Sequence, residues 1–73
     1  MSELTEMKAD MVSALAVLLK EQNNELTMDQ ALSIVFNSDT YQRLQDERTG
    51  LYYQSPRYVF SFLDAELKTG KVQ

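Results

Sequence analysis

The clearest structural signal in the chain is the segment SPRYVFSFL at Ser55–Leu63. Serine is favoured as the N-cap of a helix and proline at the first helical position, so Ser55 and Pro56 predict where a helix begins. The helix is predicted to run to about Lys68, and Gly70 stops it. Apolar residues at helical spacing form its predicted core face: Val59, Phe60, Leu63 and Leu67.

Two further helices are predicted upstream, a long one and a short one. Leu4–Gln22 places apolar side chains at helical spacing, which predicts the first helix. Thr27, followed three residues later by Gln30, is a capping box. It starts a second helix that is predicted to run to about Phe36, because apolar residues recur along one side of it.

A short third helix and a turn complete the predicted chain path. Ser38 and Asp39 are cap and turn residues, so a third helix is expected through Thr40 and Leu44. Gly50 can take the positive φ that ends such a segment, and Leu51–Gln54 is expected to be extended. The predicted fold class is therefore all-α: a small bundle of three main helices plus a short fourth helix.

Length and composition place the chain among small globular domains. Its 73 residues are 44% apolar and 25% charged, which predicts a single helical domain over residues 1–73. There is no Cys or His, so neither a disulfide nor a structural zinc site is expected. The longest apolar run, Met11–Leu19, is far shorter than the roughly 20 residues that span a bilayer. Met1–Lys8 lacks the features of a signal peptide, so we expect a cytoplasmic protein without a membrane segment.

The residue types that carry most enzyme chemistry are missing. Without His or Cys, no serine has an imidazole to activate it, and the two glycines are isolated rather than clustered in a phosphate-binding loop. The acidic pairs Asp46–Glu47 and Asp64–Glu66 diverge on a helix, so they are expected to be solvated charges and not metal ligands. The sequence predicts a non-enzymatic protein with no catalytic, cofactor or metal site.

One window of the sequence concentrates residue types that are common at binding interfaces. Positions 41–58 hold all four tyrosines and all three arginines. Both types are enriched at interface hot spots, because they offer a large amphipathic surface with a polar end. The candidate partner-binding residues are Tyr41, Arg43, Tyr52, Tyr53, Arg57, Tyr58 and Phe62. Two alternatives stay open: the tyrosines are half-buried core plugs beside solubilising arginines, or their rings stack nucleic-acid bases.

The first helix is predicted to carry more apolar surface than its own domain covers. Its apolar arc spans roughly 200°, whereas a simple surface helix needs a stripe of about 100°. The residues expected to form the surplus are Val12, Ala16 and Leu19. A second surplus stripe on the last helix contains Tyr58 and Phe62. Because a domain of this length buries only about 60% of its surface, we expect a homodimer that covers the surplus.

Nucleic-acid binding is opposed by the charge of the chain. A formal charge of −4 disfavours attraction to phosphate, and acidic residues also lie beside the tyrosines. The alternative function is a DNA-binding transcriptional regulator of helix-turn-helix type, with the second and third helices as its motif. Its recognition helix would be Thr40–Glu47, which offers one arginine and ends in two acids.

The second half of the chain carries a longer pattern. It consists of Asn37–Tyr41 (NSDTY), Leu44, Asp46, Thr49–Pro56 (TGLYYQSP) and Tyr58–Val59. In this pattern the chain resembles an uncharacterised family of short helical bacterial proteins, some of which resemble components of small operons that also encode toxin-like proteins. The resemblance implies a protein partner of unknown identity and an antitoxin-like role, and it assigns no catalytic or ligand residues.

Overall fold

The computed structural model describes residues 2–70, and every regular element in that part of the chain is helical. The four α-helices are α1 (Glu3–Gln22), α2 (Met28–Phe36), α3 (Asp39–Gln45) and α4 (Pro56–Thr69). Two 3-10 turns, Glu47–Thr49 and Leu51–Tyr53, connect α3 to α4. The all-α prediction of three main helices and a short fourth is confirmed. No helix within the described range is both long enough and apolar enough to cross a bilayer.

Each α-helix begins at a hydroxyl side chain that accepts a hydrogen bond from the backbone N–H three residues later. The donor–acceptor distances are 3.0–3.2 Å, and the capping residues are Ser2, Thr27, Ser38 and Ser55. The predicted capping box is complete, since the Thr27 N–H donates to Gln30 Oε1 at 2.9 Å. Pro56 opens α4 as predicted. One such cap contributes about 1 kcal/mol, so the helix starts are fixed locally.

Helix α1 is the centre of the core. It packs most extensively on α2 and also contacts α3, α4 and the turn Leu51–Tyr53. The prediction that Val12, Ala16 and Leu19 form a surplus face is wrong, because the single chain leaves only 5%, 0% and 5% of them exposed. The physical reason is the position of α2, whose buried residues Ala31 and Val35 pack on this face of α1. These three residues are therefore not available to a second copy.

Helix α4 packs through Val59, Phe60 and Leu63, as predicted. The prediction for Leu67 is wrong, because this residue is 50% exposed. Glu66, one residue earlier, already reaches the first turn of α3, so Leu67 lies past the end of the core. The helix ends at a glycine with a φ of 75°, as the sequence predicted.

The link between α3 and α4 differs from the extended segment that was predicted for Leu51–Gln54. Gly50 has the expected positive φ, at 68°, but the chain then forms a 3-10 turn in which Gln54 N–H donates to the Leu51 carbonyl at 3.2 Å. Because Leu51 is buried in the core, the backbone curls inward here. A Cβ at position 50 would lie 2.8 Å from Tyr53 Oη, so glycine supplies both the φ and the space for that ring.

Candidate partner-binding surface

A shallow groove runs along one face of α1, bounded by the turn Leu51–Tyr53 and the start of α4. It consists of two adjoining depressions of ≈ 240 and ≈ 470 Å³ that share Pro56. The first is lined by Met7, Asp10, Met11, Tyr52, Tyr53, Gln54 and Pro56. The second is lined by Ala14, Val17, Leu18, Ser55, Pro56 and Arg57. We call these residues together the α1–α4 groove.

The apolar wall of the α1–α4 groove is the margin of α1 that the domain leaves partly uncovered. Met7, Met11, Ala14 and Leu18 are three or four residues apart, so they form one strip along the helix. Met11 is buried and the other three are half-buried, while the neighbouring Val17 is 43% exposed. The open margin of α1 is therefore this strip, and not the opposite margin that the sequence analysis selected.

Tyr53 is highly exposed, yet its position is fixed. The residue is 61% exposed. Its ring packs edge-to-face on Tyr52, with ring centroids 5.2 Å apart and planes at 89°, and it also covers the backbone at Gly50. An exposed aromatic side chain that is already ordered loses little conformational entropy on binding, which is a property of interface anchors.

Two charged side chains of the α1–α4 groove, Asp10 and Arg57, have no partner within residues 2–70. Neither makes a hydrogen bond or an ion pair with another described residue. Asp10 lies in the depression with the tyrosines, whereas Arg57 lies in the other depression, beside Val17 and Leu18. Charges of opposite sign therefore stand toward opposite ends of the groove.

The other two arginines are engaged within the fold. Arg48 Nη2 lies 2.9 Å from Asp46 Oδ2, and the hydrogen bonds from the Arg48 side chain and then its backbone N–H lower the pKa of Asp46 to about 2. Arg43, one of the predicted contact residues, lies near the Glu66 carboxylate and helps to lower its pKa. The Arg43 carbonyl also accepts a hydrogen bond from the Thr49 hydroxyl at 2.7 Å. Both residues therefore have a structural role in or beside α3.

Glu66 is not the solvated charge that the sequence predicted. Its carboxylate accepts hydrogen bonds from the Asp39 N–H at 2.7 Å, the Thr40 N–H at 2.9 Å and the Thr40 hydroxyl at 2.8 Å. Burial is the largest single influence and raises the pKa of Glu66, but the hydrogen bonds and the charge of Arg43 together outweigh it, so the pKa is lowered. A carboxylate at this position also complements the dipole of α3. Glu66 therefore fixes α3 against α4.

A second groove lies on the other side of α1, where α2 and α3 meet it. It has a volume of ≈ 410 Å³ and is lined by Thr5, Lys8, Ala9, Val12, Ser13, Leu32, Phe36, Tyr41 and Gln45. We call these residues the α1–α3 groove. Phe36 and Tyr41 pack edge-to-face with ring centroids 5.1 Å apart. Lys8 Nζ donates to the Gln45 carbonyl at 3.2 Å, so its charge is placed at the C-terminal end of α3, where a cation is favourable.

Three of the seven predicted contact residues, Tyr52, Tyr53 and Arg57, come together in the α1–α4 groove. The alternative that the tyrosines are half-buried core plugs fits only two of the four tyrosines. Tyr41 and Tyr52 are half-buried against the core, whereas Tyr53 and Tyr58 are exposed. The tyrosines are therefore not all sealed inside one chain.

The other four predicted contact residues lie elsewhere. Tyr41 belongs to the α1–α3 groove, and Arg43 lies near Glu66. Tyr58 and Phe62 form a separate edge-to-face pair on α4, with ring centroids 5.2 Å apart. The Tyr- and Arg-rich window is thus divided among several surfaces, because consecutive helical residues point about 100° apart and α3 and α4 face different neighbours.

The sequence analysis missed the α1 half of the α1–α4 groove, above all Asp10, Ala14 and Val17. A signal was present, since Met7, Met11 and Leu18 share one strip with Ala14. The pattern did not reveal which margin of the wide apolar arc stays open, because that depends on where α2 packs.

The helix-turn-helix alternative has part of its geometry in the structure. α2 and α3 are consecutive helices, but they are joined by Asn37 and Ser38 alone, which is shorter than the turn of about three or four residues in that motif. In addition, α3 has only seven residues, and the Glu66 carboxylate lies at its N-terminus, where a recognition helix would approach DNA. A negative charge at this position opposes the approach of phosphate.

Comparisons with models of protein families, with curated proteins and with solved structures found no match to this chain. The resemblance to a family of short bacterial proteins therefore stays a prediction.

Proposed function

We propose that the chain is a non-enzymatic protein–protein interaction module that forms a homodimer and acts as a cytoplasmic, antitoxin-like partner protein in a small bacterial operon. The observation that carries the proposal is the α1–α4 groove. It combines an exposed but fixed aromatic residue, Tyr53, with an open apolar strip and two unpaired charges.

The chemistry of the α1–α4 groove is typical of an interface. Interface cores are enriched in Tyr, Met and Arg, and all three residue types line this groove. The depressions are open and shallow and have few converging polar groups, whereas small-molecule sites are usually concave and enclosed. A protein surface fits such a groove better than a small substrate does.

The test is capture of proteins from an extract of the organism that encodes the chain, with the wild type and a groove variant as baits. Val17→Glu places a charge in the groove, and Met28→Glu is the matched control, because Met28 is 38% exposed, similar to Val17 at 43%, but lies outside the groove. Tagged copies of the chain are added to the extract, so that binding of a second copy is detected along with binding of other proteins. We expect the wild type and the control to retain a bound protein and Val17→Glu to lose it. Retention by all three baits would contradict the assignment of the groove.

The alternative, a DNA-binding regulator, uses the two consecutive helices α2 and α3. It predicts a change in fluorescence anisotropy of labelled duplex DNA at low salt that disappears as salt is raised, because phosphate contacts release counterions. We expect no such change, given the formal charge of −4 and the Glu66 carboxylate at α3.

A further inference from the structure

We propose that the α1–α4 groove is occupied by a second copy of this chain, packed antiparallel about a two-fold axis near Ala14. The proposal rests on the proposed function and names the partner of the same site. It differs from the dimer predicted through Val12, Ala16 and Leu19, because those residues are buried within one chain. It also differs from the dimer predicted through Tyr58 and Phe62, which do not line this groove.

The first argument is the arrangement of charge along the groove. Asp10 stands toward the N-terminal end of the α1 strip, and Arg57 stands beside Val17 and Leu18 at the other end. The distance from Asp10 to Val17 along α1 is about 10 Å, at about 1.5 Å per residue. Both charges lack a partner among the described residues, so each is free to form an ion pair outside the chain.

A two-fold axis turns this arrangement into self-complementarity. In an isologous contact, each copy presents the same patch, so a contact between residues i and j occurs twice. An antiparallel arrangement about Ala14, which lies midway between Asp10 and Leu18, places Asp10 of each copy near Arg57 of the other. The groove therefore provides two ion pairs, each between Asp10 of one copy and Arg57 of the other, instead of repulsion between like charges.

The apolar residues of the groove fit the same arrangement. Val17, the most exposed apolar residue of the strip, lies three residues from Ala14, so a second copy packed about Ala14 covers it. Ala14 itself is small, so the two α1 helices can approach closely at the axis. Tyr53, held on Gly50 and Tyr52, flanks this contact.

The acidic residues of α1 do not prevent the contact. Glu3 and Glu21 lie on the same side of α1 as Ala14, at about 100° per residue, but they are near the ends of the helix. In the proposed arrangement they lie at the rim, where water and salt screen repulsion. A standard interface takes about 800 Å² from each partner, which is about a sixth of the 4789 Å² surface of this chain.

The test is a charge-reversal exchange followed by sedimentation equilibrium, at protein concentrations from about 10 to 500 µM, where weak interfaces are populated. Asp10→Lys and Arg57→Glu each place like charges opposite one another, twice per dimer. We expect each variant alone to dimerise at least about tenfold more weakly than the wild type, because two ion pairs are replaced by two repulsions. An equimolar mixture of the two variants restores both pairs and is expected to form a heterodimer with about wild-type affinity.

Controls separate this result from a loss of fold or of net charge. Glu47→Lys makes the same charge change as Asp10→Lys at an exposed residue outside the groove, and it is expected to leave the dimer unchanged. Circular dichroism checks that all variants keep the helical content of the wild type.

The proposal is overturned if the wild type stays monomeric throughout the range, if either reversal dimerises like the wild type, or if the mixture associates no better than its components. A monomeric wild type that still captures a different protein through Val17 overturns this inference and the homodimer, but leaves the role of the groove as a protein-binding surface in place. If the wild type neither dimerises nor captures another protein through the groove, the proposed function is contradicted as well.

Discussion

The two sides of α1 differ in how their polar groups are satisfied. In the α1–α3 groove Lys8 Nζ donates to the Gln45 carbonyl at the C-terminal end of α3, and at the other end of α3 the Glu66 carboxylate accepts three hydrogen bonds. In the α1–α4 groove, Asp10 and Arg57 have no partner among residues 2–70. Both grooves contain a partly exposed aromatic ring, Phe36 at 48% and Tyr53 at 61%, so the difference lies in the charges: Lys8 is bonded within the chain, whereas Asp10 and Arg57 are not. This difference indicates which side is built for stability and which for association.

The largest effect is expected where polar groups are satisfied within the chain, at the contact of Glu66 with the start of α3. Glu66→Ala leaves the fully buried Thr40 hydroxyl and two backbone N–H groups without their acceptor, so the free energy of unfolding is expected to fall by about 2 to 3 kcal/mol. Urea denaturation measures this change. The matched control is Asp64→Ala, which removes an exposed ion pair with Lys68 from the same helix and is expected to cost less than about 0.5 kcal/mol. Equal losses in the two variants would show that Glu66 does not hold α3.

The same carboxylate predicts an acid dependence. Because the folded-state pKa of Glu66 is lowered from its ordinary value of 4.5, its contribution to stability is present above that value and is lost as the pH falls through the lowered pKa. Urea denaturation at about pH 7 and about pH 3 is expected to show a smaller loss in Glu66→Gln than in the wild type. Asp46, whose pKa is about 2, adds an acid dependence of its own, so Asp46→Asn is measured in parallel. Identical pH profiles for Glu66→Gln and the wild type would contradict the assignment.

An intermediate effect is expected at the turn that holds Tyr53. Gly50→Ala is expected to cost about 2 kcal/mol, from the positive φ and from the contact with the Tyr53 ring. Gly70 is the matched control, because its φ is also positive, at 75°, but an added Cβ would meet nothing within 4 Å. We therefore expect Gly70→Ala to cost about 1 kcal/mol, the φ penalty alone. Thermal or urea denaturation of both variants gives the difference, and an equal cost would mean that Tyr53 does not press on residue 50.

The smallest effect concerns the start of α4, which supplies Pro56 and Arg57 to the α1–α4 groove. Ser55→Ala removes the cap whose hydroxyl accepts from the Tyr58 N–H at 3.2 Å, and it is expected to lower stability by about 1 kcal/mol. Ser61→Ala, inside the same helix, is expected to change stability by less than about 0.5 kcal/mol. A melting temperature that is the same for Ser55→Ala and the wild type would rule out the cap.

The elements that could be predicted from the sequence are those whose causes lie within a few residues. The caps at Thr27 and Ser55 and the positive φ at Gly50 and Gly70 depend on neighbouring atoms, and the structure contains all four. Glu66 could not be recognised, because its hydrogen-bond donors are 26 and 27 residues away along the chain.

The candidate site was only half predictable for a related reason. Tyr52, Tyr53 and Arg57 stand out by residue type, so composition selected them. The α1 side required knowledge of which margin of a wide apolar arc is covered, and helical periodicity gives the width of an arc but not its neighbours. The prediction therefore selected Val12, which α2 buries, and omitted Val17, which stays exposed.

The most direct test of the difference between the two sides is a dilution series followed by two-dimensional ¹H–¹⁵N NMR of the wild-type chain. If the α1–α4 groove is the surface that associates, the amide signals of Asp10, Ala14, Val17, Tyr53 and Arg57 are expected to shift with protein concentration. The signals of Phe36 and Tyr41, in the α1–α3 groove, are expected to stay constant. Concentration-dependent shifts that centre on Phe36 and Tyr41, or no shifts at any concentration, would contradict the account.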